Sequence, residues 1–255
     1  MTAEQPPSGP PSYAPSPSRS PASSVPSRSP AVSPSGRLLT GEDLERSSVV
    51  ANNTMNRERG LSGVNSYARE LGVDPLAHLL ARPAAPSWLD LCSGEGRALH
   101  EAASVLPSDA VVTGVDLVGA LVPVPAPPAL ERVVASVARW TPERTYDLVT
   151  CVHGLHYVGD QLGLLARAAS WVADDGLLVA HVDPDSIRWA DGAPAGRAAV
   201  RALRAAGYAY APRHHRLVLR GGRTVTLPFR YLGADPGAGP NYTGQPAVAS
   251  FYAPA

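Results

Sequence analysis

The residues most able to do chemistry lie in two short stretches. The first is Trp88-Leu-Asp-Leu-Cys-Ser-Gly-Glu-Gly-Arg97, an apolar run that enters a glycine-containing turn and opens a helix. Gly94 and Gly96 let the backbone approach a ligand closely, and the helix start offers free N–H groups. Twenty residues beyond Gly96, Asp116 closes a second apolar run. A carboxylate in that place can accept hydrogen bonds from both hydroxyls of a ribose, so the pair reads as a nucleoside site. The full dinucleotide fingerprint is absent, and a Walker loop is excluded because the chain has no lysine. The second stretch is Tyr146-Asp-Leu-Val-Thr-Cys-Val-His-Gly-Leu-His-Tyr-Val158, which places His153 and His156 just past an apolar run. Either imidazole there can take a proton from an attacking hydroxyl or amine, or serve only to shape a pocket.

These residues need a scaffold, and the chain after Pro83 supplies alternating strand and helix signals, which imply a parallel sheet. Strands are expected at 87–92, 110–116, 132–136, 146–152 and 176–182, with helices at 97–105, 160–172 and 195–206. The segment 117–130 holds Pro123, Pro125, Pro127 and Pro128, so a loop or single turn is expected there instead of a crossover helix. Residues 216–220 and 223–227 alternate around Gly221-Gly222, the signal of an antiparallel hairpin. Before the sheet, Thr40 with Asp43, a run at 62–71 ending at Gly72, and Asp74-Pro75 mark short helices. Three parts follow: a tail at 1–36, a helical segment at 37–85 and a core domain at 86–255. The tail carries ten prolines and eleven serines and is expected to be disordered, since it has almost nothing apolar to bury.

The segment from 86 to 183 resembles the class I S-adenosylmethionine-dependent methyltransferases. Asp90, Cys92, Gly94 and Gly96 match their first motif, with Cys92 where the first glycine usually stands. Asp116, the 146–158 segment and Gly176-Leu-Leu-Val-Ala-His181 follow in order and spacing. The resemblance implies an α/β, Rossmann-like, mostly parallel seven-stranded sheet with helices on both faces and a C-terminal antiparallel hairpin. It further implies S-adenosyl-L-methionine as cofactor, with Asp90, Gly94 and Gly96 beside its methionine part and Asp116 and Leu117 beside ribose and adenine. An acid often ends the third strand in that family, but here the place falls on Ser136 or Val137. Cys151, Val152 and His153 would floor the reaction site. Arg57 and Tyr67, on segments preceding the first strand, would contact cofactor or substrate, or else be ordinary surface polarity.

Composition narrows the function further. The 22 basic and 22 acidic residues cancel, 44% of residues are apolar, and no long apolar run or leader-like start is present, so a cytoplasmic enzyme without membrane attachment is expected. Only Cys92 and Cys151 occur, without metal-ligand spacing, so no structural metal is expected. Eight arginines and no acid lie between Asp191 and Asp235. Arg197, Arg201 and Arg204 share a helix face there, which reads as a solvated face or a surface for RNA or an anionic substrate. The loop at 237–246, with Asn241, Tyr242 and Gln245, reads as a surface loop or a substrate contact. The expected activity is methyl transfer to oxygen or nitrogen of a small molecule. An RNA methyltransferase and a non-catalytic cofactor-binding module are the alternatives.

Overall fold

A computed structural model describes residues 36–51, 59–118 and 126–255. The proline- and serine-rich stretch 1–35, Arg57 with its asparagine-rich neighbours, and Pro123 and Pro125 lie outside them.

Apolar runs that alternate with helices do form a parallel sheet. Its strands are β1 (Ser87–Leu91), β2 (Val111–Asp116), β3 (Leu130–Val134), β4 (Tyr146–Cys151) and β5 (Val172–His181), and β8 (Arg216–Arg220) and β7 (Ala209–Ala211) complete it. The spatial order is β3-β2-β1-β4-β5-β8-β7. Only β8 runs against its neighbours. The order reverses between β1 and β4, and at such a switch point the strand ends open a ligand crevice.

Period-two alternation sorts the strand side chains onto two faces. Leu89, Leu91, Val149, Cys151, Leu178 and Ala180 join a core with α5 (Gln161–Ala168) and α6 (Gly196–Ala205). Trp88, Leu148, Leu177 and Val179 join a second core with α2 (Tyr67–Leu71), α3 (Pro75–Leu80) and α4 (Arg97–Ala103). Helices therefore cover both faces, as expected.

Several local readings shift. Gly72 ends α2 in the left-handed conformation, but the helix starts at Tyr67 behind a Ser66 cap, not at residue 62. Asp74 caps α3 through the N–H groups of Leu76 and Ala77, with Pro75 at its first position. Thr40 precedes α1 (Gly41–Glu45) without a side-chain cap bond. The antiparallel hairpin exists but pairs β8 with β7, and residues 223–227 form no strand. The reason lies in the hydrogen bonds after Gly221: Gly222 N–H donates to the carbonyl of Ala173 and Arg223 N–H to that of Ala169, which draws the chain off β8.

A second sheet, unanticipated from sequence, joins β6 (Ile187–Trp189), β10 (Ala249–Pro254) and β9 (Phe229–Asp235) in that order. α1 packs its Leu44 against Ala234 of β9 and Val248, and Leu39 bridges to Ala234. The N-terminal helix is thus held by the C-terminal sheet.

Candidate active site

The site begins with the turn after β1. Cys92, Gly94 and Gly96 all adopt positive φ, at 58°, 59° and 69°. This left-handed backbone suits glycine and strains other residues, which explains why Cys92 stands out at its position. Below the turn, Gly154 follows β4, and a Cβ there would meet the Cys92 Cβ at 2.3 Å. Only glycine lets the two strand ends approach so closely.

Asp116, at the tip of β2, ties this turn together: its Oδ2 accepts from Gly94 N–H at 2.8 Å and its Oδ1 from Val118 N–H at 2.9 Å. Beside these groups opens a cleft of about 190 Å³. Gly94, Cys92, Asp116, Leu117, Ser136, Val137, Tyr67 and His153 all line it, so the structure brings together most residues singled out from sequence. Gly96 and Cys151 support it from beneath instead of lining it: Gly96 N-caps α4, and the Cys151 thiol packs against Cys92.

Asp90 does not line the cleft. It is 0% exposed, and its carboxylate accepts from Tyr67 Oη at 2.6 Å and from Thr150 Oγ1 at 2.5 Å. Thr150 in turn accepts from the Trp88 indole N–H at 2.8 Å. Burial pushes the Asp90 carboxyl up to about 7, against the two hydrogen bonds that favour its charge. The Tyr67 phenol is driven well above its ordinary value, first by burial and then by the Asp90 charge, and stays a donor. Tyr67 is thus a buried strut with one edge in the cleft.

The third strand carries no acid at its end, but one arrives from elsewhere. Glu45 of α1 lines the cleft, accepting from Ser136 Oγ at 2.5 Å and Arg139 Nη2 at 2.9 Å. Sequence gave no signal for this contact, which joins residues ninety-one positions apart.

Four of the seven histidines gather at the other end. His153 has φ 57°, an unusual conformation for a residue with a side chain, and is buried. Its ring stacks on His181 at 4.3 Å, and its two nitrogens meet Glu70 Oε2 at 3.1 Å and Tyr242 Oη at 3.0 Å. Glu70 also pairs with Arg59, and its carboxyl is held down at about 2, chiefly by the His153 hydrogen bond. Tyr242 stacks on His215 at 3.7 Å and meets the edge of His156. His156 is 1% exposed with no hydrogen-bond partner on either nitrogen among the described residues, and burial lowers it to about 3. It does not line the cleft, whereas His153 does. The loop carrying Tyr242 therefore reaches the site, and Glu70 and His181 join it without having been singled out from sequence.

The model of a methyltransferase domain matches residues 64–218, more than half of the 255-residue chain. The chain belongs to that methyltransferase family. The family match bears out the resemblance to class I S-adenosylmethionine-dependent methyltransferases seen in the first motif and the strand order. No curated protein matches the chain significantly. Among solved structures, CalS10, an amino pentose methyltransferase from Micromonospora echinaspora involved in calicheamicin biosynthesis, is 24% identical over 41% of this chain and 46% of its own, with a TM-score of 0.32. The plantazolicin methyltransferase BpumL is 17% identical over 44% and 45%, with a TM-score of 0.35. The CcbJ methyltransferase from Streptomyces caelestis is 20% identical over 51% and 55%, with a TM-score of 0.37. The chain spans about half the length of each. Among the described residues no helix is long and apolar enough to cross a membrane.

Proposed function

We propose that this methyltransferase moves a methyl group from S-adenosylmethionine to oxygen or nitrogen of a small molecule bound in front of His153. The observation that carries the reading is the convergence of the Cys92–Gly96 turn, Asp116 and His153 on one cleft. The cradle fits the cofactor: the left-handed turn keeps side chains out of the way, and the Asp116 carboxylate retains acceptor capacity for ribose hydroxyls beyond its two backbone bonds. Leu117 and Val137 would offer adenine an apolar surface, and the Glu45 carboxylate, also on the cleft, would supply an acceptor for its amine.

The cofactor supplies a methyl carbon held on a sulfonium. In-line displacement asks the protein mainly for alignment and exclusion of water. Val152 and Gly154 provide a close floor, while Tyr67, braced by Asp90, fixes one wall. His153 then faces the acceptor.

Calorimetry with S-adenosylhomocysteine and an assay of S-adenosylhomocysteine formation over candidate acceptors test the reading; no heat and no thermal shift with the cofactor or its product would overturn it. Arg197, Arg201 and Arg204 are exposed, whereas Arg216 is turned inward onto the Glu70 carbonyl at 3.3 Å. The arginine-rich segment is thus not one continuous basic face, which favours a small acceptor over RNA.

A further inference from the structure

We propose that His153 is the general base of the transfer, that Glu70 is its positioning residue, and that the acceptor group is a hydroxyl. The proposal rests on the methyl-transfer reading above and deepens it.

The two partners of His153 fix its tautomer. Glu70 is a carboxylate whose Oε1 is engaged by Arg59, and its Oε2, 3.1 Å from His153 Nε2, can only accept. Nε2 therefore carries the hydrogen, and the lone pair lies on Nδ1. At 3.0 Å from Nδ1 stands the Tyr242 hydroxyl, which burial keeps protonated by pushing its titration up. An O–H donor is thus already seated on the basic nitrogen. The His181 ring, stacked within 10° of parallel, holds the imidazole plane. The left-handed backbone at His153 sets the aim of the side chain from below.

Tyr242 belongs to a loop with left-handed glycines at Gly239 and Gly244, on either side of it. It does not line the cleft, whereas His153 does. The acceptor hydroxyl takes the place of the Tyr242 hydroxyl on Nδ1. As the acceptor oxygen bonds to the methyl carbon, the electron pair of the carbon–sulfur bond goes to sulfur. The hydroxyl proton passes to Nδ1, and the resulting imidazolium is stabilised by the Glu70 carboxylate. A neutral amine attacks with a free lone pair and needs no base until afterwards, but a hydroxyl oxygen becomes nucleophilic as its proton leaves. A base held this firmly points to the hydroxyl.

The same Glu70, His153 and His181 atoms lie within 4.8 Å of one another, close enough for a metal ion. Parallel stacking of the two rings opposes this, because ligand lone pairs lie in the ring planes and must converge on the ion. The Arg59 guanidinium on the same carboxylate adds repulsion.

The test uses the full chain with histidine labelled by nitrogen-15 and saturated with S-adenosylhomocysteine. Nitrogen chemical shifts are expected to show His153 as the Nε2–H tautomer in the wild type. E70A, which removes the acceptor on Nε2, should lose that fixed tautomer while binding S-adenosylhomocysteine within about threefold of wild type. An Nδ1–H tautomer in the wild type, a measurement that requires no variant, overturns the proposal, as does an unchanged tautomer in E70A. S-adenosylhomocysteine formation over matched hydroxyl and amino compounds should favour the hydroxyl members, and turnover of amines alone overturns that part. Wild-type activity that EDTA abolishes and zinc or manganese restores would assign the cluster to a metal instead. If S-adenosylhomocysteine fails to bind, the cofactor reading itself has failed; binding with the wrong tautomer sinks only the base.

Discussion

Asp90 offers the clearest quantitative test of the site's architecture. Its carboxyl is 0% exposed and is raised from 3.8 to about 7, so the folded chain holds a proton that the unfolded chain releases near pH 4. The sign follows from linkage: a raised carboxyl contributes stability that is full below about pH 4 and is lost as pH rises to about 7. The span corresponds to about 4 kcal/mol, what remains after the Thr150 and Tyr67 bonds have offset part of the burial. D90N removes the titration and keeps the shape. The Asn carbonyl still accepts from Thr150, and its amide can donate to the Tyr67 oxygen. Urea unfolding of wild type and D90N at steps from pH 4.5 to 8.5 gives the difference in stability. That difference should move in favour of D90N by about 2 to 4 kcal/mol across the range, with the histidine contributions cancelling between the proteins. A flat difference would mean that Asp90 is charged throughout, and the reasoning about its burial would fail.

Replacing Asp116 with alanine should weaken S-adenosylhomocysteine binding by about 1 to 3 kcal/mol, the effect of leaving buried partners unpaired; calorimetry showing no change would mean that the ribose lies elsewhere. E45Q should lower affinity for S-adenosylhomocysteine several-fold yet spare its inosine analogue, in which the exocyclic amine is replaced by oxygen, and equal losses for both would remove Glu45 from the adenine. His156 is lowered from 6.5 to about 3, so it stabilises the fold only while neutral, and that stability declines as pH falls below 6.5. H156L should therefore unfold less readily than wild type at pH 4.5 relative to pH 7.5, and an unchanged ratio of midpoints would contradict the neutral, unpartnered state. The chain should not retard RNA at low salt; a complex that weakens steeply with rising salt would restore RNA as the acceptor.

The sequence by itself determined the parallel sheet and the cleft at its edge. Apolar runs such as Ser87–Leu91 and Tyr146–Cys151 mark their strands by local pattern, and a parallel sheet then brings their ends to one edge. That is why Gly94, Asp116 and His153 meet in the cleft although up to sixty residues separate them. Register and partner choice were decided only in three dimensions. Residues 223–227 alternate like a strand, but carbonyls of 169 and 173 capture the backbone after Gly221. Glu45 reaches Ser136, Glu70 reaches His153, and Tyr242 reaches the same imidazole across 91, 83 and 89 residues. Such contacts leave no periodic trace, because a single polar side chain in a short helix or a turn-rich loop looks the same whether it meets water or a buried partner. The second sheet is hidden for a related reason: β6 is three residues long, too short to show alternation, and becomes a strand only by pairing with β10. Local pattern thus fixes where the ligand crevice opens, while the groups that tune it come from distant segments whose meeting depends on the packing of the whole chain.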